Sequence, residues 1–198
     1  MSPLPMFPLG SVLFPHMPLP LRIFEPRYLA MLADILGAEP SEFGVVLIER
    51  GQEVGGGDSR VDLGTIAQVV ELGTSEQSVM LIARGSRRIA VTKWHEDDPY
   101  PRAEVEPIGD IEWSDALQPL RDEAERVVRR VLARASEWGE YPWPADVELS
   151  DEPVPALWQL AAISPLGTFD QMQLLRATSA EELLRSIVRL VGEAEQTY

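Results

Sequence analysis

The chain has 198 residues, 45% of them apolar, with no cysteine, two histidines and a formal net charge of −15. The apolar share is enough for a real core, while the missing cysteines exclude disulfides, zinc ribbons, iron–sulfur clusters and thiol catalysis, and two histidines exclude a His-rich metal site. The acidic excess runs throughout, 9 basic against 16 acidic residues up to residue 110 and 8 against 16 beyond, so phosphate backbones and anionic membrane surfaces are repelled, and neither nucleic acid nor membrane is an expected partner.

No apolar run reaches the roughly eighteen residues of a membrane span. The start, MSPLPMFPLG, lacks the basic residues and unbroken apolar run of a signal peptide, so the expected location is cytoplasmic. Residues 13–32, LFPHMPLPLRIFEPRYLAML, then crowd prolines among core formers. Proline cannot donate a ladder hydrogen bond, which confines such strands to sheet edges, sheet beginnings or bulges. In EPRYLAMLADIL, Tyr28, Met31, Leu32, Ile35 and Leu36 fall at helical spacing and predict one short helix, with Pro26 in its first turn and Gly37 past its end.

Short strands follow: FGVVLIER (43–50), DLGTIAQVVEL (62–72), SVMLIARG (78–85), RRIAVTKWHE (87–96) and PRAEVEPI (101–108). They are rich in β-branched residues and separated by GQEVGGGDSR, GTSEQ and DDPY, which carry turn chemistry. Gly85-Ser86 predicts a hairpin between the third and fourth of these. Five or six strands at this spacing predict a closed or half-closed barrel over residues 1–110.

From Ser114 the period becomes helical. Leu117, Leu120, Ala124, Val127, Val128, Val131, Leu132 and Ala135 form one stripe, with Pro119 early in the helix. A second helix fits VPALWQLAA (154–162). Two more are predicted to start at Thr168, with Gln171 three residues on, and at Ser179, with Glu182 three residues on, both at capping-box spacing. The last buries Leu183, Leu184, Ile187, Val188 and Val191. Residues 111–198 are thus a predicted helical bundle.

The words LPMFPLGSVLFPHMPLPLRIFEPRYLAML, FGVVLI, DLGTIAQVVEL, LIARGSRRIAV and PRAEVEPI, in this order and with the tail SPLGTFDQMQLLRATSAEELL, resemble the N-terminal substrate-binding domain of the Lon protease, a domain also found in cereblon. The resemblance covers essentially the whole chain. It implies an α+β fold, a PUA-like antiparallel β-barrel with a short inserted helix followed by a C-terminal helical bundle. It implies unfolded or degron-bearing polypeptides as partners, with a separate protease or ATPase as co-worker. Within such a domain the prolines belong to edge and bulged strands, and Glu25-Pro-Arg27-Tyr28 turns the chain into its helix. For Glu25 and Arg27 two readings stand, an ion pair or caps holding that junction, and a grip on a ligand.

Lon's own chemistry needs a nucleotide-binding loop and a Ser-Lys dyad. The chain holds a single lysine, Lys93, between Thr92 and Trp94, so no G-x-x-x-x-G-K-[ST] phosphate loop exists. GGGDSR (55–60) has no lysine and no following helix, and reads as a hairpin tip. Lys93 lies in an alternating strand where exposure is expected, whereas a lysine base needs burial to lower its pKa. A Ser-His-Asp triad would need His16, flanked by Pro15 and Met17, or His95, which precedes three acids. No motif selects a pair of carboxylates for acid–base work. No catalytic, metal or cofactor residue is therefore assigned, and no cofactor is expected.

A polypeptide-binding module should keep apolar area exposed within a polar rim. Two stretches fit. Pro15, His16, Met17 and Pro18 offer an adaptable methionine and an edge able to accept an added strand. Trp138, Tyr141 and Trp143 lie in an inter-helix stretch and serve either a partner or the junction between barrel and bundle. With Arg27 these are the candidate contacts. The expected function is non-enzymatic recognition of client or partner polypeptides. The alternatives are a small-ligand or RNA-binding PUA-like module, against which the charge speaks for RNA, and an enzyme of unrecognised chemistry that would need a deep pocket lined by perturbed acids or His95.

Overall fold

The computed structural model of the chain describes residues 3–50, 59–74, 78–138 and 142–195. It divides into two compact units, Met1–Gly109 and Asp110–Tyr198. The first is built from β1 (Leu4–Leu9), β2 (Pro18–Ile23), α1 (Pro26–Leu36), β3 (Glu42–Arg50), β4 (Ser59–Thr74), β5 (Val79–Trp94) and β6 (Arg102–Pro107). The strands form one sheet in the order β2-β5-β4-β3-β1-β6, and β5 pairs with β6 as well. The pairings β5–β4–β3–β1–β6–β5 therefore run round a ring that leaves β2 outside. The sheet is mixed rather than antiparallel, because β1 and β3 pair in parallel, Met6 opposite Gly44 through to Leu9 opposite Leu47. Parallel neighbours require a long crossover, and β2 with α1 supplies it here.

The predicted hairpin at Gly85-Ser86 does not form. β5 runs unbroken through both residues while β4 pairs with it from Leu63 to Thr74. Val79 to Arg84 have β2 on their other side, and Ile89 to Trp94 have β6. The Gly-Ser pair marks the exchange of one neighbour for the other. A bulge accompanies it, since Thr65 faces Arg88 while Ala67 faces Gly85, leaving Ser86 and Arg87 opposite Ile66 alone. The predicted hairpin tip, Gly55 to Asp58, lies outside the described residues.

The inner side of the ring is the cluster Met6, Val46, Ile66, Ile89, Val91 and Ala103. α1 buries Tyr28, Met31, Leu32 and Ile35, with Tyr28 stacked 4.2 Å from Phe7. Leu36, the fifth residue of the predicted stripe, is exposed. Near the other end of α1, the Tyr100 hydroxyl donates to Asp34 at 2.5 Å and accepts from Arg102 at 2.9 Å. Burial, reinforced by the Asp34 carboxylate, pushes that hydroxyl above its usual pKa.

The second unit has a 3₁₀ turn at Asp115–Leu117, then α2 (Gln118–Trp138), α3 (Pro153–Ile163), α4 (Thr168–Leu175) and α5 (Ala180–Glu195). α5 packs against α2, α3 and α4. The α2 stripe is buried from Ala124 to Ala135, and α3 is apolar nearly all round, as suits a helix enclosed by others. On α5, Leu190 takes the core place expected of Val188, which is only half-buried.

The two predicted capping boxes fare differently. Ser179 Oγ accepts from the Glu182 N–H at 3.2 Å, while the Glu182 carboxylate reaches past Ser179 to Thr178. Thr168, in contrast, is the first residue of α4, and Gly167 stands at the cap without a side chain to bond. Glu195 closes the far end of α5 onto Arg130 and Arg134 of α2, both at 2.8 Å. Gly192 lies inside α5 with nothing within 4 Å of a Cβ placed on it. Gly192→Ala should therefore stabilise this unit by about 0.5–1 kcal/mol, since alanine restricts the unfolded chain and favours helix. A thermal melt that fell instead would place that position in contact with another group.

Candidate functional site

Pro15 and Met17 are buried, Met17 at 8% exposure, which corrects the expectation of an exposed methionine contact. The cause is a tight turn. His16 has φ 65, a left-handed conformation uncommon outside glycine, and it folds the segment back onto β5. The His16 N–H donates to Gly85 O at 2.8 Å, and the Gly85 N–H donates to Met17 O at 2.9 Å. Thr65, fully buried, donates to Leu13 O at 2.6 Å just before the turn. His16 is left half-buried, and Pro18 alone among the four is exposed.

The outer edge of β2 then follows by alternation. In an antiparallel pair every second residue points its backbone groups at the neighbour. The Gly85 N–H donates to Met17 O, so Met17 turns its carbonyl toward β5, and the register places Leu19, Leu21 and Ile23 in the same class. The nitrogens of Pro18, Pro20 and Arg22 face outward, so the prolines sit where no donor is required. An incoming strand would find carbonyl acceptors there but, of these three residues, only the Arg22 N–H as donor. That weakens the strand-addition expectation.

The side chains of the same residues build a different surface. Pro20 lies opposite Ile82, Arg22 opposite Met80 and Pro18 opposite Arg84, so these pairs share one face of the sheet. On the other flank of β5, Glu71 lies opposite Ile82 and Gly73 opposite Met80. Met80 is 48% exposed and Ile82 40%. Val70, the extra residue of a bulge between Val69 and Glu71, is 61% exposed. The result is an apolar surface of Pro18, Pro20, Met80 and Ile82 with Val70 beside Glu71, bordered by Arg22 and Arg84. The sequence signal was present in Val-Met-Leu-Ile, a run without polar alternation, but such a run reads equally as a strand buried on both faces.

Arg27 belongs to the junction. Its Nε meets Glu25 Oε2 at 3.1 Å, and its guanidinium lies 4.5 Å above the Tyr28 ring. Glu25 is the N-cap of α1, and its backbone carbonyl, not its side chain, accepts from Tyr28 and Leu29. The ion-pair reading is therefore the geometry observed, and the side-chain cap is not. A groove of about 190 Å³ between β1, β2 and α1 lies alongside, with Phe24 exposed at its margin.

Of the predicted aromatic trio, Trp138 ends α2, Trp143 is half-buried, and Tyr141 lies outside the described residues. Sequence reasoning missed what holds the following segment. Arg129, paired with Glu125, donates to Ala145 O at 2.7 Å and Val147 O at 3.1 Å.

Lys93 and His95 share one acidic partner. Lys93 is 63% exposed and meets Glu104 at 3.4 Å, and His95 meets the same carboxylate oxygen at 3.1 Å. The Lys93 hydrogen bond, with help from His95, holds the Glu104 carboxyl below its usual range. Among the described residues no group of three or more His, Asp or Glu side chains could hold a metal ion, and no helix is long and apolar enough to cross a membrane.

The geometry has counterparts among known proteins. A Lon N-terminal domain protein from Xanthomonas campestris superposes with a TM-score of 0.65 at 26% identity, covering 96% of this chain and 98% of that one. The N-terminal domain of Lon protease from the Mycobacterium avium complex gives 0.66 at 18% identity, over 97% and 99%. A Lon protease of Anaeromyxobacter dehalogenans is 33% identical over 134 residues, 65% of this chain, and the match spans only 16% of that protein's length. The family model of the substrate-binding domain of the ATP-dependent protease La (LON) matches residues 3–193. A mixed sheet with α1 inserted and helices following it is the Lon N-terminal fold, and the chain belongs to the Lon substrate-binding domain family.

Proposed function

We propose that this chain is a non-enzymatic polypeptide-binding module which recognises unfolded or degron-bearing segments, through its apolar β2–β5–β4 face, for a separate ATPase or protease. The ring of strand pairings serves as a PUA-like β-barrel scaffold, and the four helices as a bundle. The observation that carries the reading is the exposure of Met80 and Ile82 beside Pro18 and Pro20. Isolated exposed apolar residues are ordinary, but a contiguous set with a polar border marks a contact surface. Methionine suits it to varied sequences, because its unbranched, polarizable side chain adapts to different partners. The prolines add rigidity and, by removing outward donors from β2, leave side-chain contact rather than added strands as the mode of recognition. A net charge of −15 argues against nucleic acid as the client.

Met80→Glu combined with Ile82→Glu tests this. Both side chains are substantially exposed, so melting should change little, while affinity for a permanently unfolded polypeptide, read by fluorescence anisotropy, should fall at least about tenfold as central apolar contacts are lost. Undiminished binding by the double variant, or none by the parent chain, overturns the proposal.

A further inference from the structure

β1, β3, β4, β5 and β6 line a cleft of about 620 Å³, none of whose residues belongs to the Met80–Ile82 face. Its floor is Ile66, Ile89 and Ala103, all members of the buried inner cluster, and Leu4 and Val105 are partly buried against the same cluster. The volume lies within the roughly 300–1,000 Å³ of pockets that take ligands. Its border is acidic, with Glu42, Glu104 and Glu106 against one cation, Arg87. Arg87 grips Glu42 through two bonds of 2.7 and 3.1 Å, so these two charges offset each other. Glu104 is countered by Lys93 at 3.4 Å and meets His95 at 3.1 Å through the same oxygen. Glu106, opposite Ala90 on β5, is exposed.

We propose that this cleft is a specificity subsite that seats one apolar side chain of an extended polypeptide whose neighbouring residues are lysine or arginine. The inference rests on the polypeptide-binding function proposed above and names the class of segment favoured. The apolar floor supplies affinity by removing that side chain from water. Glu106 selects the flanks, because a cation beside it gains Coulomb attraction where an acidic flank meets repulsion. The net acidity of the unit, 9 basic against 15 acidic residues over Met1–Gly109, acts in the same direction at longer range. Acidic segments and nucleic acid are disfavoured by the same charges.

Three synthetic peptides with one apolar centre and arginine, serine or glutamate flanks test it on the full chain. Anisotropy gives affinity, and isoleucine methyl spectra give location, with Ile66 and Ile89 reporting the cleft and Ile82 the β2–β5–β4 face. At low salt the arginine peptide should bind on the order of tenfold more tightly than the glutamate one, and the gap should narrow as salt is added. Ile66 and Ile89 should shift. Glu106→Lys should remove most of the preference, and Val105→Trp should abolish the Ile66 and Ile89 shifts by filling the cleft. Should Val105→Trp fail to fold, the parent spectra and Glu106→Lys decide the matter. Peptides that bind regardless of flank, or that shift Ile82 alone, overturn the subsite and leave the broader function standing. Absence of binding by every peptide and by unfolded polypeptide overturns both. Cleft shifts in a chain whose Met80 and Ile82 substitutions change nothing support the subsite and overturn the β2–β5–β4 face.

Discussion

Gly85→Ala is expected to cost on the order of 3 kcal/mol and to lower the melting of the first unit by roughly 10–20 °C. A Cβ at this position would lie 2.2 Å from Phe14 O and 3.1 Å from Phe14 C. Those are backbone atoms, unable to rotate aside as the end of a side chain can. To make room, the turn at His16 must lift off β5, and with it go the two bonds that join Gly85 to His16 and Met17. Each leaves backbone groups unpaired beside the buried Met17, at a cost of about 1–3 kcal/mol for an unsatisfied donor or acceptor. Gly109→Ala is the matched control, since nothing lies within 4 Å of a Cβ there. Parallel melts or urea titrations of the two variants decide the point. If Gly85→Ala proved as harmless as Gly109→Ala, the turn could not be seated on β5 as described.

Trp158→Ala should destabilise the second unit by about 3–5 kcal/mol. Trp158 is fully buried on α3, a helix enclosed by α2, α4 and α5, so its removal opens a large cavity among side chains anchored on separate helices. Its indole N–H also donates to Asp110 Oδ1 at 3.2 Å, and the same oxygen accepts from the Ile111 N–H at 2.8 Å. Trp158→Phe separates the two contributions. It retains most of the apolar bulk and loses the hydrogen bond, and should cost about 1–2 kcal/mol. Denaturant unfolding followed by helical circular dichroism provides the measurement. Equal losses in the two variants would show that the hydrogen bond, not the enclosed volume, dominates at this position.

These sites differ in how visible they are in the sequence. The interior place of α3 follows from VPALWQLAA, where apolar residues leave hardly any polar face. Gly85 reads the wrong way, because Gly-Ser between two β-branched runs is good turn chemistry. Here the glycine serves a close approach by a distant segment, and the strand continues because β4 pairs with it on both sides of the supposed turn. Met17 fails for a related reason. Its neighbours suggest an exposed proline loop, while its burial depends on a left-handed His16 and on hydrogen bonds to a residue nearly seventy positions away. Of the candidate contacts, Pro18 remains on the proposed face. Met80 and Ile82 were hidden because strand alternation says that two faces exist but not which of them the rest of the fold covers.

What the sequence determined by itself was local or a matter of sums. The helices of the tail, the α1 stripe, the Ser179 cap and the family all follow from residues a few positions apart or from words in order. The missing phosphate-loop lysine and the acidic charge follow from counting. Only the tertiary structure decided which strands pair, where β1 runs parallel to β3, that β5 is one strand, and which apolar side chains stay in water. Periodicity fixes a residue's angle about its own helix or strand, whereas burial and pairing depend on what distant segments bring to that side, and no short window of sequence contains that information.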